Sequence, residues 1–82
     1  MITKQSFSVF VPPNNLTLAK DLWDTIRLRC PRSGMSLRKS ASDYCIQIAG
    51  GPSRQETWWA VRRIVSEVEQ RHNTGRVVEI MG

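Results

Sequence analysis

Two segments of this chain carry apolar residues at three-and-four spacing on one side only, and short extended runs flank both of them. Ala19, Leu22, Trp23, Ile26 and Cys30 form the first stripe, and Trp58, Val61, Val65 and Val68, flanked by Ile64, form the second. A helix with a single apolar stripe must bury it against another layer. The extended runs supply that layer. Phe7, Val9 and Val11 alternate with Ser6, Ser8 and Phe10, and Tyr44, Ile46 and Ile48 alternate with Cys45 and Gln47. Period two is the signature of a half-buried strand.

Punctuation along the chain sets the bounds. Pro12-Pro13 ends the first strand, because proline cannot donate to a ladder, and Asn14 or Asn15 can cap the helix predicted over Leu16–Arg29. Pro31 stops that helix, and Pro31-Arg32-Ser33-Gly34 is a turn. Met35–Lys39 and Tyr44–Ile48 are expected to pair as a hairpin around Ser40-Ala41-Ser42-Asp43. Gly50-Gly51-Pro52 breaks the chain. Ser53-Arg54-Gln55-Glu56 has the spacing of a capping box for a helix reaching about His72. Asn73-Thr74-Gly75 ends that helix in left-handed geometry, and Arg76–Met81 is a last strand. The order is β-α-β-β-α-β. The expected fold is α+β: a two-layer sandwich with both helices on one face of an antiparallel-rich sheet and the other face open. Ferredoxin-like folds share this order. With 82 residues the chain is expected to be one small basic domain over 1–82.

Composition narrows the function. Twelve Lys and Arg stand against seven Asp and Glu, a net charge of +5, which attracts polyanions at long range. Arg27, Arg29, Arg32, Arg38 and Lys39 fall in an acid-free run. Arg27 and Arg29 also suit a helix C-terminus on dipole grounds. Arg32, Arg38 and Lys39 are candidates for phosphate contact. Trp59 lies far from the apolar stripe of its helix, on the side carrying Arg63 and Glu56, with Arg62 and Arg63 three and four residues on. It is expected to be exposed and to stack with one of them, as suits a nucleic-acid base or a protein hot spot. Phe10 faces outward on the open sheet if Phe7, Val9 and Val11 face inward, with Arg38 and Gln47 nearby. That surface suits base stacking and a homodimer contact equally.

Other chemistries find little support. The chain has one histidine, His72, and no Ser-His-Asp or paired-carboxylate set, so no catalytic role is expected. Cys30 and Cys45 are two short of a zinc site and are expected to be reduced, binding no metal. No cofactor is expected. Residues 50–54 lack the spacing of a phosphate-binding loop and suit a turn with a cap. No apolar run approaches a membrane span, and the first residues lack an apolar leader, which points to the cytoplasm or nucleus.

Residues 33–39, 44–50 and the helix through Val68 resemble the C-terminal half of a KH domain, where a hairpin strand ending in isoleucine-x-glycine leads into a long amphipathic helix. Val11-Pro12 resembles the end of a KH first strand. The G-x-x-G loop that grips nucleic acid in that family has no counterpart here, and one helix stands where a KH domain has two. The resemblance therefore implies a degenerate KH-like domain and transfers no binding residue. The expected function is a non-catalytic nucleic-acid-binding module, RNA before DNA. The alternative is a small inhibitor or adaptor docking on a larger, acidic-surfaced protein.

Overall fold

Valine, isoleucine and the aromatics at alternate positions build a four-stranded sheet, and the two amphipathic segments cover one of its faces. The computed structural model describes residues 6–50 and 54–81. Strand β1 spans Ser6–Val11, helix α1 Leu16–Arg29, β2 Ser33–Lys39, β3 Tyr44–Gly50, helix α2 Arg54–His72 and β4 Glu79–Met81. The strands lie in the order β2-β3-β1-β4, and each neighbouring pair is antiparallel. Each β-α-β unit thus receives a strand of the other between its own two strands, the split arrangement.

The expected α+β architecture is the observed one. Phe7, Val9 and Val11 of β1 and Tyr44, Ile46 and Ile48 of β3 form the inner face of the sheet. Leu18, Ala19, Leu22 and Ile26 of α1 and Val61, Ile64, Val65 and Val68 of α2 meet them in one continuous core. Asn15 caps α1: its side-chain oxygen accepts from the Leu18 N–H at 3.2 Å. Cys30 closes the helix by donating its N–H to the Ile26 carbonyl at 2.8 Å. Asn73 and Gly75 both have positive φ, 55° and 73°, so α2 ends in left-handed geometry as expected. Residues 51–53, and with them the Ser53 side of the capping box, lie outside the described residues.

Three expectations are corrected. The second strand begins at Ser33, not Met35, because Ser33 and Gly34 pair with Gly50 and Ala49. The last strand holds only residues 79–81, because the Val77 and Val78 amides donate instead to Glu69 Oε2, both at 2.9 Å. Trp58 is not at the centre of the α2 stripe. Thr57 is buried in its place, and Trp58 packs partly buried at the margin, as Trp23 does on α1.

Candidate functional site

Burying one meridian of α2 leaves the opposite meridian in solvent. Gln55, Trp59, Arg62, Arg63, Ser66 and Gln70 are all exposed, and their spacing places them on one outer stripe. Trp59 is 56% exposed, unusual for the largest apolar side chain. Its ring stands nearly perpendicular to that of Trp58, at 87° with centroids 5.1 Å apart. Edge-to-face contact of this kind is favourable and holds Trp59 upright on the helix. The arginine that reaches an aromatic ring is Arg62, with its guanidinium 5.8 Å from the Trp58 centroid. The expected stacking partner, Trp59, is thus replaced by its neighbour. Trp58 lies one helical turn before Arg62 on the same side of α2.

The stripe continues beyond the helix. Arg62, Ser66 and Arg76 line a groove of about 200 Å³ between α2 and the chain running into β4, floored by Val65, Val78 and Ile80. The carboxylate in this groove, Glu69, is 8% exposed and is taken up by the two backbone amides of Val77 and Val78. Among the described residues Arg62, Arg63 and Arg76 have no carboxylate within ion-pair distance, whereas Arg29 pairs with Glu67 at 3.0 Å and Arg71 with Asp21 at 2.9 Å. Arg62 and Arg63, one turn on from the exposed Trp59, and Arg76, in the groove beside Arg62, are thus not taken up by an acid among the described residues.

The acid-free run of the sequence does not form one patch. Arg27, Arg29 and Arg32 surround the C-terminal end of α1, where Arg29 is taken by Glu67 on α2. Arg29 and Arg32 line a cleft of about 410 Å³ whose opposite wall is Glu56, Thr57 and Ala60 of α2. Arg32 thus adjoins the N-terminal half of the α2 stripe, with Glu56 between them. Lys39 lies at the end of β2, its ammonium 5.7 Å from the Tyr44 ring centroid. Arg38 pairs in register with Cys45, and Cys45 with Phe10, so Arg38 and Phe10 occupy the open sheet face, on the other side of the sheet from Trp59. Of the residues singled out in the sequence, Trp59, Arg62 and Arg63 come together. Arg76 and Trp58 join them, and neither was a candidate. The isolated position of Arg76 after a glycine carries no local signal, and Trp58 has the spacing of a core residue.

The remaining polar cluster ties the helices together. Asp21 of α1 accepts from Arg71 Nη1 on both oxygens at 2.9 Å and from the Thr25 hydroxyl at 3.2 Å, and its Oδ2 lies 2.7 Å from His72 Nε2. Burial pushes the Asp21 carboxyl upward, but the hydrogen bonds of His72, Arg71 and Thr25 and the Arg71 charge outweigh it, so the net shift is downward. The only histidine is thereby engaged in holding α1 to α2. Burial raises the Cys30 thiol, and the nearby Arg29 opposes this only in part. Cys30 sits at the end of α1 in the helical layer, and Cys45 stands on the outer face of β3. Among the described residues no three His, Cys, Asp or Glu side chains converge on a point where a metal would sit. No helix of the described residues is long and apolar enough to cross a membrane. Comparison of the chain with protein-family models, with curated proteins and with solved structures finds no match in any of the three.

Proposed function

We propose that this chain is a non-catalytic RNA-binding module that takes a single strand along the outer face of α2. The observation that carries the proposal is the exposed Trp59, in edge-to-face contact with Trp58, on one helical stripe with Arg62 and Arg63, with Arg76 lining the groove beside Arg62; none of the three arginines has a carboxylate partner among the described residues. A flat aromatic with flanking cations is the minimum that grips single-stranded nucleic acid: the ring stacks a base and the guanidinium groups neutralise phosphates. Duplexes are poor ligands for such a stripe, because their bases are already stacked. The KH resemblance adds no residue to this interface.

Titration of a labelled single-stranded RNA at low and moderate salt tests it. Wild type binds at low salt and weakens as salt rises. Replacing Arg62, Arg63 or Arg76 with Ala lowers the salt slope by about 0.7 per lost phosphate contact. Trp59→Ala removes about 1–3 kcal/mol of affinity with little change in slope. No binding at low salt ends the proposal. A tryptophan and two arginines on one helical stripe also have the composition of a protein hot spot, which supports a second reading, a small factor docking on an acidic-surfaced protein. In that case Trp59→Ala abolishes the complex, and oligonucleotide binding is negligible throughout.

A further inference from the structure

The sheet face turned away from the helices is organised in rows, and one row has a definite electrical sense. In register, Arg38 of β2 stands beside Cys45 of β3, Cys45 beside Phe10 of β1, and Phe10 beside Glu79 of β4. The adjacent row runs Ser36, Gln47, Ser8 and Met81. Arg38 and Glu79 are both exposed and Phe10 and Cys45 half-buried. A cation therefore marks one edge of the face and an anion the other, with an aromatic and a thiol between. The two charges are three strand spacings apart, about 14 Å, so they cannot pair within one molecule.

A two-fold axis running along the strands, midway between β3 and β1, exchanges the two edges of the row. Laying a second copy over the first about this axis brings Arg38 over the second copy's Glu79, and Cys45 over the second copy's Phe10. Each contact occurs twice, as in any isologous interface. Ser36, Gln47, Ser8, Gly34, Ala49 and Ser6 line the rest of the face with the exposed Met81 at the β4 edge, and the mostly small side chains between let two sheets approach to about 10 Å, the usual separation of packed sheets. Long arginine and glutamate side chains span that gap at the rims.

We propose that the open sheet face is a two-fold interface for a second copy of this chain, with the Phe10–Cys45 contacts at its centre and Arg38–Glu79 pairs at its edges. The flat footprint of four short strands is about 400 Å² per copy, roughly half that of a standard specific interface and in the range of weak, transient contacts. The dimer is accordingly reversible and concentration-dependent. Both α2 stripes remain outside, on opposite faces of the assembly. The proposal is independent of the RNA reading, and its test contains no nucleic acid.

Sedimentation equilibrium at low salt, from about micromolar to about millimolar protein, reads the mass directly. Wild type is expected to move from the monomer mass toward twice that value. Arg38→Glu and Glu79→Arg each place like charges opposite one another at both edges, and each is expected to weaken the dimer by tenfold or more. The double variant, with the charges exchanged, restores it. Circular dichroism confirms that all three variants are folded. A wild type that stays monomeric at millimolar concentration overturns the proposal. So does a dimer indifferent to both single reversals, a double variant that fails to recover, or a dimer that Trp59→Ala dissolves.

Discussion

The two helices are alike on their inner faces and unlike on their outer ones. Leu18, Ala19, Leu22 and Ile26 of α1 and Val61, Ile64, Val65 and Val68 of α2 are all at most 6% exposed, and they meet the same sheet. Outside, α1 shows Thr17, Lys20, Asp24, Arg27 and Leu28, a mixture of both charges and an apolar residue. The outer stripe of α2 is centred on a tryptophan followed by two arginines, and the exposed acids of the helix, Glu56 and Glu67, lie along one side of it. Packing imposes the same demand on both inner faces and none on the outer ones. A difference confined to the outer faces therefore has no structural cause, and it is where a binding function is to be sought.

Mutations at the inner faces should act alike on both helices and produce the largest effects. Ile26→Ala and Ile64→Ala are each expected to cost about 2–5 kcal/mol, the usual loss for emptying a buried isoleucine site. Urea unfolding followed by circular dichroism measures both. If only one of the pair is costly, the inner faces are not equivalent and the comparison fails. Next is Glu69, whose buried carboxylate serves α2 alone by holding the Val77 and Val78 amides. Glu69→Ala leaves both amides unpaired and should cost about 2–3 kcal/mol. Hydrogen exchange should show residues 77–81 opening before the rest of the sheet.

The ion cluster between the helices sharpens the comparison through pH. The folded Asp21 carboxyl titrates below its ordinary value, so its contribution to stability is complete above about pH 4, the unfolded value. It is lost as pH falls through the lower folded value. Asp21→Asn should therefore cost about 1–2 kcal/mol at neutral pH, since Arg71 is half exposed and solvent screens the pair. The variant's stability should also fall less steeply with acid than that of wild type. Parallel acid limbs for the two proteins would show that the cluster does not hold the helices together. The smallest stability effects belong to the outer faces. Leu28→Ala on α1 should change stability by about 0.5 kcal/mol or less and Trp59→Ala on α2 by about 1 kcal/mol, the worth of its edge-to-face contact, while only Trp59→Ala weakens RNA binding. Equal effects on binding would erase the distinction between the two outer faces.

Trp58 and Thr57 show where hydropathy stops informing. Hydropathy favours the larger, more apolar side chain as the centre of the buried stripe, yet Thr57 is interior and Trp58 marginal. Helical spacing puts Thr57 on the buried meridian, four, seven and eleven residues before Val61, Ile64 and Val68, so the polar character of threonine, not its position, hid it. The run Arg76–Met81 was legible as extended but not as only partly paired. Whether Val77 and Val78 join the ladder depends on a carboxylate eight and nine residues earlier. The candidate site was legible in Trp59, Arg62 and Arg63, which share one helix and so have their relative positions set by its pitch. Arg38, Phe10 and Arg76 lie on other elements, and their surroundings follow from strand order.

Periodicity, proline and asparagine placement determined by themselves that this chain makes two one-sided helices and a half-buried sheet, because those signals act within a few residues of where they are read. The strand order β2-β3-β1-β4 was the decision of the tertiary structure. It separated Arg38 and Phe10 from Trp59 by the thickness of the sheet, drew Arg76 against α2, and set Arg38 and Glu79 at opposite edges of one row. Those outcomes depend on which strands lie side by side, a choice governed by burial of the shared core and by loop closure over dozens of residues.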